Sequence, residues 1–269
     1  MGLLKKDPFG HVLLFKKWLI RIFGFITHKR YRGFNDLKIE GSEIIKSLPE
    51  TNVLFISNHQ TYFADVVSMF HVFNASLKGR VDSIKNVFYI WKPKLNLYFV
   101  SAKETMKSGI LPRIMSYAGA ITVERTWREK GKDVENKKAV NPNDTENIKI
   151  ALKDGWVITF PQGTTKSFKP VRKGTAHIIK EHRPIVVPIV IDGFRRSFDR
   201  KGIWLKKKGI LQSMVIKEPL DIDYDNDSIE DIVEKIEFAI EQHPSFLKVV
   251  PTEIIENEKE LNKKRRFNY

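Results

Sequence analysis

Ser57-Asn58-His59-Gln60-Thr61-Tyr62-Phe63-Ala64-Asp65 is the stretch that decides the fold of this chain. An apolar run, residues 53–56, precedes it and another, residues 66–70, follows it, which predicts a buried strand, a short polar loop and a helix. A carboxylate behind a histidine ring can stabilise the imidazolium that forms when the ring takes a proton from a hydroxyl. Taken alone, the pair also fits a histidine at a strand end and an aspartate that caps a helix.

Strands and helices alternate on both sides of this stretch. Apolar runs predict strands at residues 37–40, 97–102, 121–123, 156–160, 185–191 and 214–217. Helical spacing predicts helices at residues 65–73, 110–118, 147–153, after Gly174, and at 229–240. The alternation predicts a single α/β domain with a mixed, largely parallel sheet flanked by helices. Residues 126–143 are charged and lack periodicity, so we interpret them as an exposed loop or insertion.

The composition limits the possible chemistry. The chain has no cysteine, which excludes a disulfide framework, a thiol nucleophile and a thiolate metal site. Its 47 Lys and Arg residues against 32 Asp and Glu give a net charge of +15, which favours an anionic partner: phospholipid, nucleic acid or an acidic carrier. We find no dinucleotide fingerprint, no Gly-x-Ser-x-Gly elbow and no metal-ligand spacing, so no metal or cofactor is expected.

The first 33 residues are basic and are predicted to form an amphipathic N-terminal helical segment. They contain eight Lys or Arg residues and one acid. Lys16, Lys17 and Arg21 share one flank of the helical wheel and apolar residues cover the rest, a pattern typical of a helix in the membrane interface. The alternative is a helix packed on the core with a solvated basic flank. The expected division is a membrane-surface segment at 1–33, a domain at 34–250 and a charged tail at 251–269.

Four segments occur in a fixed order along the domain. They are Asn58-His59-Gln60-Thr61 with Asp65, Gly119 to Arg125, Phe160-Pro161-Gln162-Gly163-Thr164, and Val187-Pro188-Ile189-Val190. In this order they resemble the four motif blocks of the glycerolipid acyltransferases, the 1-acylglycerol-3-phosphate acyltransferase (lysophosphatidate acyltransferase) family. The resemblance spans about residues 37 to 220.

The resemblance implies an acyltransferase that moves a fatty acyl group from acyl-CoA or acyl-carrier protein to a lysophospholipid acceptor. With 1-acylglycerol 3-phosphate as acceptor, the product would be phosphatidic acid for phospholipid synthesis. It implies His59 as general base and Asp65 as its partner. The implied substrate-binding residues are Gly119, Arg125, Gln162, Gly163, Thr164 and Lys166. The expected location is the cytoplasmic face of an anionic membrane, with the protein peripheral or monotopic.

Arg125 is the best single candidate for binding a phosphate, because a guanidinium offers planar, bidentate donors. A surface arginine paired with Glu124 is the alternative interpretation.

The chain departs from the family pattern at two places. Five residues separate His59 from Asp65 where the family has four. If His59 lies in a loop, the loop absorbs the extra residue; otherwise the pair is rotated apart and Asp65 is only a helix cap. In the third block, Gln162 and Thr165 replace a glutamate and an arginine, and Lys166 is a candidate replacement for the missing charge. The family associates this block with the phosphorylated acceptor. Another hydroxylated lipid, such as an acylated aminolipid, is therefore an alternative acceptor.

A basic cluster near the end of the domain favours a different class, a non-catalytic protein that binds nucleic acid or an anionic surface. Its members are Arg195, Arg196, Arg200, Lys201 and residues 206–208. The chain shows no recognisable nucleic-acid module, so nucleic acid is not an expected partner. The same residues could meet anionic headgroups beside the N-terminal segment.

Overall fold

The computed structural model describes residues 5–107, 109–124, 128–129, 132–133 and 141–247, the two short pairs by their backbone alone. The charged tail expected at 251–269 lies outside the described residues. The described strands are β1 Asp36–Glu40, β2 Val53–Ser57, β3 Leu97–Ala102, β4 Ala120–Val123, β5 Arg128–Glu129, β6 Lys132–Asp133, β7 Trp156–Thr159, β8 Ile185–Asp192 and β9 Leu211–Ile216.

Helices separate most of these strands. The described α-helices are α1 Leu13–Tyr31, α2 Ile44–Ser47, α3 Ala64–Leu77, α4 Lys103–Met106, α5 Ile110–Ser116, α6 Pro142–Asp154, α7 Lys173–His182, α8 Phe194–Ser197 and α9 Ile229–Ala239. Short 3-10 helices occupy Val87–Trp91 and Pro244–Phe246. Within the region expected to be an exposed insertion, β5 and β6 pair antiparallel.

The main sheet is mixed and largely parallel, as the sequence predicts. Its strand order is β1-β9-β8-β2-β7-β3-β4. The run from β8 to β4 is parallel throughout, while β9 is antiparallel to β8 and carries β1 parallel to itself. The carboxyl ends of five strands therefore meet at one edge of the sheet, where open α/β folds place their ligands.

β2 lies at the centre of this sheet and is buried on both faces, with every residue of Val53–Ser57 inaccessible. On one face Phe55 contacts the rings of Phe73 and Trp156, with centroids 4.3 and 5.5 Å away. On the other face Leu54 belongs to the apolar cluster that includes α7 and α9. A strand that is covered by helices on both faces has a continuous apolar sequence, and this explains the pattern of residues 53–56.

α1 turns its basic flank toward the protein, which is the reverse of the expectation from the sequence. Lys16 is fully buried, forms an ion pair with Asp7 at 3.3 Å and lies 4.3 Å from the centroid of the Tyr98 ring. Arg21 is also buried and donates to the Trp91 carbonyl oxygen. These partners offset the cost of removing two charges from water, which a helical wheel cannot reveal.

The face of α1 that remains exposed is apolar. Here it is called the apolar stripe, and its members are Leu14, Phe15, Trp18, Ile22, Phe25 and Ile26. Exposed rings from other elements border it: Tyr117 meets Phe15 and Phe88 meets Phe25 edge to face. Among the described residues, no helix has both the length and the apolar character needed to cross a bilayer. The opposite face of α1 packs on the core through Leu19 and Ile20, so the helix lies between the protein core and the solvent.

Candidate active site

Asn58 extends the pairing of β2 with β8 through its side chain. Its carboxamide donates to the Ile191 carbonyl oxygen at 2.8 Å and accepts from the Ile191 N–H at 2.8 Å. The side chain thus satisfies both backbone hydrogen-bonding groups of Ile191 just beyond the last residue of β2. His59 follows directly and stands at the carboxyl edge of the sheet, at the start of a loop that is anchored at its base.

The ring of His59 and the carboxylate of Asp65 are in hydrogen-bond contact, with Nδ1 and Oδ2 2.9 Å apart. Asp65 is the second residue of α3, in its first turn, where the helix dipole favours a negative charge. The extra residue between the two side chains is absorbed by the loop and leaves the pair together. The two side chains thus form one hydrogen-bonded pair.

The Asp65 carboxylate is fully buried and accepts three hydrogen bonds besides the one to His59. Oδ2 accepts from the Gln60 N–H at 2.6 Å and the Thr61 N–H at 3.0 Å, and Oδ1 accepts from the Thr61 hydroxyl at 2.7 Å. These donors fix the carboxylate and compensate its burial. With Nδ1 committed to this carboxylate, Nε2 is the ring nitrogen available to exchange a proton with a substrate.

The ring of His59 also stacks on Phe160, with centroids 3.8 Å apart and planes inclined by 23°. Phe160 directly follows β7, the neighbour of β2, and begins the third sequence block. The structure therefore brings the first and third blocks into contact. Phe160 is a site residue that the sequence reasoning did not single out; its signal was an aromatic residue at a strand end, directly before the Pro-Gln-Gly turn.

Gln162 folds the loop of residues 160–172, here called the β7–α7 loop. Its buried carboxamide nitrogen donates to the Lys169 carbonyl oxygen at 2.7 Å and to Gln242 Oε1 at 3.2 Å. Gln242 Oε1 also accepts from the Phe168 N–H at 2.9 Å, which ties the loop to the residues after α9. At the position where the family has a glutamate, this chain thus has an amide that binds its own backbone.

Gly163 makes the turn of the same loop. Its φ of +65° lies in the left-handed region, and its N–H donates to the Phe160 carbonyl oxygen at 2.9 Å. Thr164 is half-buried and its hydroxyl accepts from the Lys166 N–H at 3.3 Å. The Lys166 side chain is exposed.

Arg195 joins the β7–α7 loop to the loop of residues 58–63 between β2 and α3, here called the histidine loop. It lies on α8, directly after β8, and its backbone N–H donates to Gln60 Oε1 at 3.1 Å. Its guanidinium donates to the Ser167 hydroxyl at 3.2 Å and to the Thr165 carbonyl oxygen. Because β2 lies between β8 and β7, the side chain crosses the carboxyl end of β2.

Residues 36–192, more than half of the chain, match the family model described as Acyltransferase.

This chain belongs to the acyltransferase family.

Among solved structures, this acyltransferase is similar to the crystal structure of the 1-acyl-sn-glycerophosphate (LPA) acyltransferase PlsC from Thermotoga maritima. The two chains share 19% identity, with a TM-score of 0.52, over 87% of this chain and 86% of that one. At this identity the likeness shows a shared fold. No curated protein matches this chain.

The remaining expected site residues of the acyltransferase lie in different places. Gly119 precedes β4 at the amino edge of the sheet, the edge opposite His59. Its φ is +125°, and a Cβ there would come within 2.5 Å of the Leu97 carbonyl oxygen. The structure thus gives Gly119 a packing role and does not bring it to His59. Arg125 lies outside the described residues; β4 ends two residues earlier, at Val123, on the same edge as His59.

Arg195 was not among the expected site residues of the acyltransferase, because it was grouped with the surface charges around it. The local signal was its position three residues after an apolar strand. Only the pairing of that strand with β2 shows that this position is next to His59. In the described part of the chain, no cluster of three or more His, Asp or Glu side chains could hold a metal ion.

Proposed function

We propose that the protein transfers a fatty acyl group from acyl-CoA or acyl-carrier protein to the hydroxyl of 1-acylglycerol 3-phosphate, giving phosphatidic acid. The observation that carries the proposal is the 2.9 Å contact between His59 and the buried carboxylate of Asp65. A base held in this way can take the proton of a hydroxyl. The family and the motif order support acyl transfer as the reaction.

In the proposed reaction His59 Nε2 takes the proton of the acceptor hydroxyl while its oxygen attacks the thioester carbonyl carbon. Asp65 stabilises the imidazolium that forms. The tetrahedral intermediate then collapses: its C–S bond breaks, the imidazolium returns its proton to the sulfur, and the new ester leaves with the free thiol. Backbone N–H groups around Gly163 and Thr164 are the proposed donors to the oxyanion. No step requires a covalent bond to the enzyme.

The acceptor phosphate is proposed to bind Arg125, with Lys166 as a second cation. Arg125→Ala should raise the KM for the acceptor more than it lowers kcat, because the guanidinium contacts a part of the substrate that does not react. An equal fall of kcat and kcat/KM would contradict this role.

An apolar groove is the proposed site for an acyl chain. It lies between α1, α3 and β3, and apolar side chains make up nearly all of its lining, as is usual for sites that bind apolar ligands. Its lining includes Phe63, which directly precedes α3, and Val66, which directly follows Asp65. Its other walls include Leu19, Phe23 and Phe99. An acyl chain in this groove would have its reacting end near the histidine loop.

The apolar stripe of α1 is the proposed membrane contact. Its exposed aromatic and aliphatic side chains are the kind that enter the acyl and headgroup boundary of a bilayer. The groove opens beside the same helix, so a lipid acceptor could reach His59 without leaving the membrane surface. The proposed location is therefore peripheral or monotopic.

The test is acyl transfer by purified protein with one acyl-CoA and two acceptors, 1-acylglycerol 3-phosphate and an acylated aminolipid. We expect turnover of the phosphorylated acceptor and its loss, by about 10³-fold or more, in His59→Ala. His177→Ala, on the exposed face of α7, is the matched control and should leave turnover unchanged. Turnover of the aminolipid alone would show that the aminolipid, and not 1-acylglycerol 3-phosphate, is the acceptor. That alternative is favoured by one observation, the use of the Gln162 carboxamide within the protein.

A further inference from the structure

A basic loop beside the histidine loop has no role in the reaction proposed above. We call it the Trp204 loop, residues 198–208. From Arg195 to Lys208 the chain has seven Arg and Lys residues and a single acid, Asp199. The Trp204 side chain is 72% exposed, the most exposed aromatic ring among the described residues.

The Trp204 loop has a defined internal structure. Phe198 and Leu205 form an antiparallel bridge at its base, and the ring of Phe198 is buried in the core. Asp199 Oδ1 accepts from the N–H groups of Ile203 and Trp204, both at 2.9 Å. The only acid of the segment is therefore used to fold the loop, and the outward charges are positive.

The loop is attached to the histidine loop by its backbone. The Tyr62 N–H donates to the Arg200 carbonyl oxygen at 3.2 Å, and the Phe63 N–H donates to that of Lys201 at 2.9 Å. Gly202 has a φ of +75°, and a Cβ there would lie 2.5 Å from the backbone nitrogen of Ala64. Because the two backbones are in such close contact, a displacement of the Trp204 loop would also displace the residues between His59 and Asp65.

The same loop adjoins the carboxyl end of α1. The Arg30 guanidinium donates to the Ile203 carbonyl oxygen at 2.5 Å. Lys208 Nζ lies 4.6 Å from the centroid of the exposed Phe34 ring, and the Phe34 N–H donates to the Lys29 carbonyl oxygen at 2.8 Å. The basic loop thus adjoins the carboxyl end of the helix that carries the apolar stripe.

We propose that the Trp204 loop is a second membrane contact, which binds anionic headgroups and holds the histidine loop at the bilayer surface. Basic side chains gain affinity from anionic lipids, and an indole prefers the headgroup level of a bilayer. An acidic carrier protein would also match the charge, but an exposed indole in a loop that adjoins the carboxyl end of α1, the helix that carries the apolar stripe, favours the bilayer. The inference rests on the membrane location in the proposed function.

The test uses the full chain and vesicles of phosphatidylcholine, with and without phosphatidylglycerol. The test variants are W204S and the triple variant K206Q/K207Q/K208Q. The matched control is K46Q/K78Q/K153Q, which removes the same charge from exposed lysines on α2, on α6 and directly after α3. Equal thermal unfolding midpoints would show that all variants are folded.

We expect the triple variant to bind anionic vesicles about tenfold more weakly or worse, because three lysines that face anionic lipid are lost. Its binding to neutral vesicles should not change, and the control should bind both kinds like the wild type. W204S should weaken binding to both kinds. Wild-type binding of the triple variant to anionic vesicles would overturn the proposal.

Activity separates this proposal from the proposed reaction. The triple variant should keep its turnover in neutral detergent micelles and lose it on anionic vesicles. Unchanged vesicle binding, with a fall in turnover only for acyl-carrier protein as donor, would assign the loop to the carrier and refute the membrane contact. If the wild-type protein shows no acyl transfer while its vesicle binding still depends on these lysines, the proposed reaction fails and the membrane contact stands.

Discussion

Asp65→Asn tests whether the negative charge behind His59 drives the proposed reaction. The substitution is nearly isosteric, and the hydrogen-bond pattern allows it. An amide oxygen at the Oδ2 position would still accept from Gln60, Thr61 and His59 Nδ1. The amide nitrogen would take the Oδ1 position, where the Thr61 hydroxyl can rotate and accept in place of donating. The variant should therefore keep the tautomer of the His59 ring and lose only the negative charge of residue 65.

The size of the effect follows from the distance between ring and carboxylate. Nδ1 and Oδ2 are 2.9 Å apart, and both charges are delocalised over their groups. Unit charges about 4 Å apart interact by about 4 kcal/mol at an effective dielectric constant of about 20. That energy is present only when the imidazolium forms, so it contributes to the transition state. A loss of about 4 kcal/mol lowers kcat by about 10³-fold.

The assay is release of free CoA thiol from acyl-CoA with saturating 1-acylglycerol 3-phosphate. Thr61→Val is the matched control: it removes the hydrogen bond to Oδ1 and keeps the charge, so kcat should fall by about tenfold at most. The thermal unfolding midpoint of each variant checks that the fold is intact. Activity of Asp65→Asn within tenfold of the wild type would refute the electrostatic role of this carboxylate.

Three further predictions concern other parts of the molecule. Arg195→Gln should lower kcat/KM by about 10- to 100-fold with partial recovery in Arg195→Lys, because the long guanidinium donates to both Ser167 and Thr165 of the β7–α7 loop, the shorter carboxamide cannot reach both, and a lysine replaces only part of this contact. Equal kinetics with a lowered unfolding midpoint in both variants would indicate a structural role alone. Gly119→Ala should destabilise the fold by about 1–3 kcal/mol in urea titrations, since the φ of Gly119 is +125°. A raised KM at unchanged stability would instead indicate that Gly119 takes part in substrate binding. Burial lowers the pKa of His71 to about 3. The unfolded chain binds a proton below about pH 6.5 that the folded chain takes up only near 3, so stability falls on acidification through this window, by up to about 5 kcal/mol. His71→Gln should flatten the dependence of the free energy of unfolding on pH, and an unchanged slope would contradict the buried neutral ring.

Most of the fold could be predicted from the sequence, because it depends on local patterns. The apolar runs at residues 53–56 and 97–102 match β2 and β3 closely, and the periodic residues from 229 match α9. The short helices α2, α4 and α8 were missed, since one turn of helix leaves no periodicity to detect. The pairing of His59 with Asp65 was also accessible, because both residues belong to one strand–loop–helix unit.

What the sequence could not determine depends on which surfaces meet. A helical wheel shows that Lys16 and Arg21 share a flank of α1. It does not show that Asp7 and Trp91 compensate their burial, so the basic flank was assigned to the outside. Arg195 reaches the site only because β8 pairs with β2, which brings it within hydrogen-bond distance of Gln60, a residue 135 positions earlier in the chain. Sequence patterns record the preference of each segment for burial, whereas only the assembled sheet decides which buried and charged groups become neighbours.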